Sequence, residues 1–89
     1  MYQKIAMVCN NSGLHARPAA TFIAEAKKFE STITIGRIGD TNVINAKSMV
    51  KLLTLGICKG QEVQISAEGV DEVAAVDALV ALIQSGFGE

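Results

Sequence analysis

The chain has 89 residues, of which 49 % are hydrophobic and 4 % aromatic, and its net charge is −1. A chain this short forms one domain, residues 1–89, with no room for a second core, and its apolar content excludes a disordered segment. The scarcity of aromatic residues and of dense Lys/Arg clusters argues against nucleic-acid binding. The chain begins with no recognisable signal peptide and contains no bilayer-spanning stretch, so we expect a cytoplasmic protein with no membrane insertion.

The first predicted elements are a strand, Tyr2–Cys9, and a helix that begins near Pro18, with the turn Asn10–Gly13 between them. His15, the only histidine, therefore lies just before a helix start. The unpaired amides and the positive dipole end at such a site favour the neutral, nucleophilic imidazole and attract a phosphoryl dianion. Arg17 can supply a planar guanidinium to the same phosphate. The helix has an apolar stripe at i, i+3, i+4, i+7 spacing: Ala19, Phe22, Ile23 and Ala26.

The middle of the chain predicts two strands and a short helix. Thr32–Ile35 alternates as a half-buried strand does, and the turn Gly36–Asp40 leads into a third strand, Thr41–Ala46. The Gly-x-x-Gly in this turn resembles the KH RNA-binding loop, but that loop joins two helices, whereas this one joins two strands, so we discount it. Ser48 occupies an N-cap position, and Gly56 ends the helix that follows.

The short helix after Ser48 carries apolar residues on two sides. Leu52 and Leu55 are three residues apart and are expected to face the core. Met49, Val50 and Leu53 share the other side. A helix this short cannot bury both sides under an open sheet, so the latter three are expected to form an exposed patch rather than to join the core.

The last part of the chain predicts a strand, Gln61–Glu68, and a helix opened by Asp71 and Glu72. Residues 86–89 are expected to be a fraying tail. The order strand, helix, strand, strand, helix, strand, helix indicates an α+β fold with an antiparallel sheet covered by helices on one side. The expected inward residues are Val63, Ile65 and Ala67 in the strand, and Val76, Leu79, Val80 and Ile83 in the helix.

The distribution of charge along the chain indicates which partners it could bind. Residues 1–59 hold all eight Lys and Arg and carry a net +5, whereas residues 60–89 carry −6. Such a basic half suits docking on acidic partners or the handling of phosphoryl groups.

Cys9 and Cys58 are expected to be reduced thiols packed as small hydrophobes. With His15 they could form a metal site only on paper, because no ligand spacing supports it, so no metal is expected.

Three segments carry a resemblance to a known family. They are Gly-Leu-His-Ala-Arg-Pro-Ala-Ala at residues 13–20, Ala-Lys-Ser-Met-Val-Lys-Leu-Leu-Thr-Leu-Gly at 46–56, and Ile-Ser-Ala-Glu-Gly at 65–69. In order and spacing, from Tyr2 to about Ser85, the chain resembles HPr, the histidine-containing phosphocarrier family of the bacterial phosphoenolpyruvate-dependent sugar phosphotransferase system. The resemblance implies an open-faced β-sandwich, with a four-stranded antiparallel sheet in the order 1-4-2-3 covered on one face by three helices.

The resemblance also implies a function. Such a carrier is not an enzyme and has no cofactor; it accepts a phosphoryl group from enzyme I, which draws it from phosphoenolpyruvate, and passes it to EIIA domains. His15 would be phosphorylated on Nδ1, Arg17 would pair with the phosphate, and the backbone N–H groups of Ala16 and Arg17 would donate to it. The expected docking surface for partners, on a monomeric carrier, comprises Met49, Val50, Leu53, Ala16, Ala20 and Lys51.

Ser48 matches the regulatory serine of the family. The resemblance implies phosphorylation there by an HPr kinase/phosphorylase, with a transcriptional regulator as a further partner, although Met49-Val50-Lys51 departs from the best-known Gram-positive pattern. Two alternatives stay open: a regulatory interaction module that acts through Ser48, and a nitrogen-branch paralogue that does carry phosphoryl groups. The presence of both His15 and Arg17 argues against the module, since regulatory relatives lack the active histidine.

Overall fold

The computed structural model describes residues 1–89, and every predicted element is present in the predicted order. The strands pair antiparallel throughout, in the sheet order β1-β4-β2-β3. The predicted fold class and sheet order are therefore confirmed. The elements are β1 (Tyr2–Met7), α1 (Ala16–Ala26), β2 (Thr32–Arg37), β3 (Val43–Asn45), α2 (Met49–Thr54), β4 (Glu62–Glu68) and α3 (Glu72–Gln84), followed by a short 3₁₀ turn at Gly86–Gly88.

The core lies between the sheet and the three helices. Strand alternation directs Ile33 and Ile35 of β2, and Val63 and Ile65 of β4, to this side, where all four are fully buried. The predicted stripes of α1 and α3 are buried against them, so the periodicity correctly identified both faces. One cluster of 22 buried apolar residues results. None of the helices is both long and apolar enough to cross a membrane.

The strand ends differ from the sequence prediction. β1 ends at Met7 rather than Cys9, because Val8 exchanges backbone hydrogen bonds with the loop residues Gly60 and Gln61 instead of with β4. β3 is limited to three residues, and β2 continues through Gly36, where β3 approaches so closely that a Cβ would lie 3.0 Å from the side chain of Val43. A glycine in the strand allows this close approach.

The two cysteines were predicted incorrectly as packed small hydrophobes, since both are free and exposed. Cys9 follows the last buried residue of the first strand, Val8, and its Sγ lies 3.6 Å from the carbonyl oxygen of Ile83 at the end of α3. Cys58 lies in the exposed loop before β4. Their neighbours Val8 and Ile57 fill the core positions instead.

The C-terminal residues do not fray, contrary to the prediction. Gly86 is buried, and residues 86–88 form a 3₁₀ turn. The side chain of Glu89 accepts hydrogen bonds from the backbone N–H and the hydroxyl of Ser12, at 3.0 and 2.8 Å. The segment is therefore held against the loop that precedes α1.

A carboxylate joins the start of α3 to the start of β2. Asp71 accepts hydrogen bonds from the hydroxyl and the backbone N–H of Ser31 and from the backbone N–H of Glu30. The hydroxyl of Ser31, followed by the Glu30 amide, holds the pKa of Asp71 below its ordinary value. Gly69 fits here because a Cβ would lie 2.6 Å from Oγ of Ser31.

We expect Asp71→Asn to lower the melting temperature by a few degrees at pH 7. Because the pKa of Asp71 is lowered in the folded state, its carboxylate stabilises the fold above the unfolded pKa of about 4, and this contribution disappears as the pH falls through the folded pKa. The difference between the two proteins should therefore shrink towards pH 3 in thermal melts. Glu68→Gln, at an exposed side chain with no partner, is the control and should melt like the wild-type chain. A difference between Asp71→Asn and the wild-type chain that does not change with pH would show that the charge of Asp71 does not stabilise the fold.

Candidate functional site

His15 lies directly before a helix, as the sequence predicted, and it is the N-cap residue because α1 begins at Ala16 rather than near Pro18. Its backbone is extended, with φ −134° and ψ 161°, and its side chain makes no capping hydrogen bond. The residue is half-buried, and no group of the chain bonds to either ring nitrogen. Both nitrogens of the imidazole are therefore free for chemistry.

The loop before His15 is closed on itself by two hydrogen bonds. The backbone N–H of Gly13 donates to the carbonyl oxygen of Asn10 at 3.2 Å, and the Asn10 side-chain amide donates to the carbonyl oxygen of Gly13 at 2.9 Å. Asn10 is 2 % exposed. Asn at the first and Gly at the fourth position are typical of this turn. The turn is therefore rigid at the point where the chain leaves β1.

The segment after α2 supports this loop from the other side. Leu14 is fully buried, and its backbone N–H donates to the carbonyl oxygen of Ile57 at 3.1 Å. Gly13 has a φ of +66°, and a Cβ there would lie 2.4 Å from the same carbonyl oxygen. Lys59 donates from Nζ to the side-chain oxygen of Asn11. These contacts fix the two residues directly before His15.

The start of α1 has the donors that an anion needs. Ala16 and Arg17 are its first residues and have no intrahelical acceptor, and no other group of the chain accepts from their amides. Ala16 has a φ of +53°, a left-handed backbone that costs a residue with a side chain about 1–2 kcal/mol. Arg17 is exposed and makes no hydrogen bond or ion pair. Two free amides and a free guanidinium thus follow the histidine.

The predicted patch on α2 is exposed at two of its three residues. Val50 is 74 % and Leu53 is 42 % exposed, whereas Leu52 is buried as expected. Met49 differs from the prediction, because it is only partly exposed and packs against the core. The hydroxyl of Ser48 accepts a long, 3.4 Å hydrogen bond from the backbone N–H of Lys51, which confirms its N-cap position. Three further residues of the expected docking surface are exposed: Ala16, Ala20 and Lys51.

Several basic side chains of residues 1–59 make hydrogen bonds or ion pairs within the fold. Lys4 shares the core-side parity of β1 and binds Asp77 of α3 at 2.8 Å. Arg37 donates to the carbonyl oxygen of Leu55 at the end of α2, and Lys47 donates to the carbonyl oxygen of Phe29, in the segment between α1 and β2. No local sequence pattern indicates these long-range contacts. The basic side chains that are exposed and make no hydrogen bond or ion pair are Arg17, Lys27 and Lys51.

No group of three or more His, Cys, Asp or Glu side chains is placed to hold a metal ion. Cys9 lies against the end of α3, at 3.6 Å from the carbonyl oxygen of Ile83. Cys58 instead directs its Sγ to the carbonyl oxygen of Gly56. Cys9, His15 and Cys58, which the sequence analysis considered as a metal site, are therefore not brought together as one ligand set.

Comparisons with known proteins identify the family. Residues 2–85 match the family described as PTS HPr component phosphorylation site. The chain is 48 % identical over 83 residues to the phosphocarrier protein HPr of Vibrio cholerae, which covers 93 % of this chain and 95 % of that protein. It is 49 % identical over 81 residues to the multiphosphoryl transfer protein of the same organism, covering 90 % of this chain but only 20 % of that longer protein. The crystal structure of HPr-C-His from Thermoanaerobacter tengcongensis is similar with a TM-score of 0.95 and 46 % identity, covering 100 % of this chain and 98 % of that one.

The contact between Gly13 and Ile57 can be tested with a matched pair of variants. Gly13→Ala combines a left-handed backbone with a clash against a carbonyl oxygen, so we expect it to lower the free energy of unfolding by about 3 kcal/mol. Gly56 has a similar φ of +60° but open space around it. Gly56→Ala should therefore cost only about 1 kcal/mol. Urea denaturation measures both, and equal losses would show that the contact with Ile57 is unimportant.

Proposed function

The chain belongs to the HPr family and is a phosphocarrier, not an enzyme, of the phosphotransferase system; we propose that it carries the phosphoryl group on Nδ1 of His15. The observation that carries this assignment is the geometry of the helix start. A half-buried imidazole without a bonded partner precedes two amides that lack acceptors. Helix starts of this kind bind phosphate. Residues 1–89 would act as one domain that needs no cofactor of its own.

The proposed donor is enzyme I, charged from phosphoenolpyruvate. Nδ1 of His15 attacks phosphorus with its lone pair, the new N–P bond forms, and the bond to the donor group breaks with its electron pair leaving on that group. The backbone N–H groups of Ala16 and Arg17 donate to the phosphoryl oxygens, and the Arg17 guanidinium pairs with them. Catalysis of this kind depends on positioning and on charge stabilisation rather than on covalent assistance.

A carrier must also release its phosphoryl group. Arg17 is exposed, so its pairing with the phosphate is screened by water and is worth only about 1 kcal/mol. Stronger binding of the phosphorylated state would oppose onward transfer. The open position of Arg17 therefore supports a relay, with EIIA domains as the proposed acceptors.

We assign docking to the surface formed by α1 and α2. Val50 and Leu53 provide an exposed apolar centre; the unpaired charges of Arg17 and Lys51 lie on the same two helices, and that of Lys27 lies at the C-cap of α1. Apolar centres with charged rims are typical of transient interfaces. Acidic surfaces on enzyme I and on EIIA domains would complement it, and Ala16, Ala20 and the exposed part of Met49 would extend the contact. We propose that the carrier acts as a monomer in the cytoplasm.

Ser48 is the proposed regulatory position. Its side chain is half-buried and takes part only in one long hydrogen bond, so the hydroxyl is weakly held. A phosphate there would add about −1.5 to −2 charges two residues before Val50. It would repel an acidic partner while offering a new contact to a transcriptional regulator, with an HPr kinase/phosphorylase as the modifying enzyme. His15 and Arg17 are both present and make no other side-chain hydrogen bond. Phosphorylation of Ser48 would therefore regulate a carrier that still transfers phosphoryl groups, rather than take the place of that transfer.

The carrier assignment is tested with enzyme I, phosphoenolpyruvate and intact-mass measurement. We expect the wild-type chain to gain one acid-labile phosphoryl group and His15→Ala to gain none. Arg17→Ala should still be phosphorylated, but roughly fivefold more slowly, because one charged partner of the phosphate is lost. Ser48→Ala is the control and should retain the wild-type rate. A phosphoryl group that persists in His15→Ala would contradict the assignment.

The docking surface is tested by adding one negative charge to it. Val50→Asp places a carboxylate in the first turn of α2, where the helix dipole tolerates it, so the fold should be retained. In transfer from enzyme I, we expect the KM for this chain to rise about tenfold with kcat unchanged, since a well-exposed anchor of the interface is lost. Val70→Asp is the matched control at a valine that is 89 % exposed elsewhere. Equal KM values for the two variants would place docking on another surface.

A further inference from the structure

The three helices cover one face of the sheet and leave the other face open. Strand alternation places Thr32, Thr34 and Gly36 of β2 on this outer face, opposite the buried isoleucines of the same strand. The outer face lies on the other side of the sheet from α1 and α2. A partner bound to it therefore leaves the surface around His15 uncovered.

A cleft of about 270 Å³ lies on the outer face, at the end of β4 that is farther from the histidine. Among the residues that line it, Thr32, Thr34 and Ser66 have hydroxyls and Glu68 has a carboxylate. The hydroxyl of Ser66 bonds to another side chain of this face, whereas the other three groups make no hydrogen bond or ion pair within the chain. A free carboxylate beside free hydroxyls is suited to a Lys ammonium or an Arg guanidinium, because all of these groups accept its N–H bonds.

No cation of the chain neutralises the carboxylate in this cleft. The four strands place two carboxylates on the outer face, Glu62 and Glu68, and no lysine or arginine side chain. The amino group of Met1, which also lines the cleft, is bound to Glu72 of α3 at 3.2 Å. The charge of Glu68 is therefore complementary to a positive charge that a partner supplies.

A second, smaller cleft of about 100 Å³ continues from the first and shares Ser66 with it. Two exposed apolar side chains line this cleft: Ile38, which is 43 % exposed, and Val43, which is 56 % exposed. The two charged residues in its lining, Arg37 and Asp40, are paired with each other at 3.2 Å. This end therefore offers an apolar contact rather than a free charge.

Together the two clefts form one groove along the outer face of β2. Thr32 and Gly36 line its two ends and are four residues apart, a span of about 13 Å in a strand. Side chains on one face of a strand repeat every second residue, and an extended peptide has the same repeat. The groove therefore matches an extended segment of about five residues, with its first, third and fifth side chains towards the sheet.

We propose that this groove binds an extended segment of a partner protein, which places a lysine or arginine side chain at Glu68 and an apolar side chain at Ile38 and Val43. The free carboxylate at one end and the apolar pair at the other determine the orientation of the segment. Because the charge pair is exposed to solvent, the interaction is weak and the partner exchanges readily. Binding is compatible with phosphoryl transfer, since the groove and His15 are on different faces.

The first test is a titration with a synthetic peptide, followed by amide proton–nitrogen NMR of the isotope-labelled chain. The probe is acetyl-Lys-Thr-Ser-Thr-Leu-amide, and acetyl-Glu-Thr-Ser-Thr-Leu-amide is its matched control. We expect the lysine peptide to give saturable shifts at Thr32, Thr34, Val43 and Glu68, and the glutamate peptide to give none. Saturable shifts that are absent, or that lie on other residues, would overturn the proposal.

The role of the carboxylate is tested by changing its charge. Glu68→Gln should weaken binding of the lysine peptide about fivefold, as expected for the loss of one exposed charge pair. Glu68→Lys should bind the glutamate peptide in preference to the lysine peptide. Since Glu68 is exposed and has no partner within the chain, both variants should melt like the wild-type chain.

Glu62→Lys is the matched control, because it makes the same change of charge on the same strand and the same face. It lies six residues from Glu68, about 20 Å along the strand, which exceeds the screening length of about 10 Å at 0.1 M salt. Its Kd for the lysine peptide at this salt concentration should stay within about twofold of the wild-type value. Equal losses in Glu62→Lys and Glu68→Lys would show that the peptide responds to net charge alone and would contradict a seated side chain.

A kinetic measurement separates the groove from the surface formed by α1 and α2. With the lysine peptide at saturating concentration, enzyme I should phosphorylate the chain with unchanged kcat and KM. A rise in KM would show that the peptide occupies the α1 and α2 surface, and it would overturn the assignment to the outer face of the sheet.

Discussion

Gly13 lies so close to the carbonyl oxygen of Ile57 that a methyl group there would be 2.4 Å from it. The same oxygen accepts the backbone N–H of the next residue, Leu14, which is fully buried. The loop between β1 and α1 is thereby fixed to the segment that leaves α2. Everything proposed for the site depends on this attachment, because it determines where α1 begins and which residue precedes its first free amides.

The attachment holds in place a histidine that stays partly open to solvent. His15 is half-buried, and the first two residues of α1 are exposed with unpaired amides. A transferable phosphoryl group needs this combination: partners must reach it, yet the donors that stabilise it must already be in place. The left-handed backbone of Ala16 is a local cost at the same point. The core under the sheet, with its 22 clustered apolar residues, supplies the stability that makes such a cost tolerable.

The sequence predicted those features that depend on local periodicity. The stripe of α1, the alternation of β4 and the N-cap role of Ser48 follow from neighbours within a few residues, and all are confirmed. The features it missed depend on distant contacts. Glu89 is held by Ser12, 77 residues away, and no local pattern marks a tail that folds back. Cys9 is exposed although its neighbour Val8 is buried, so an apolar neighbour alone did not indicate burial.

The most direct test of the account is NMR of the chain phosphorylated by enzyme I, with the ring nitrogens of His15 and the backbone amides observed together. We expect a phosphoryl group on Nδ1 of His15, with the amide protons of Ala16 and Arg17 shifted downfield because they now donate to its oxygens. A phosphoryl group on Nε2 or on another residue, or amide protons of Ala16 and Arg17 that do not move on phosphorylation, would contradict it.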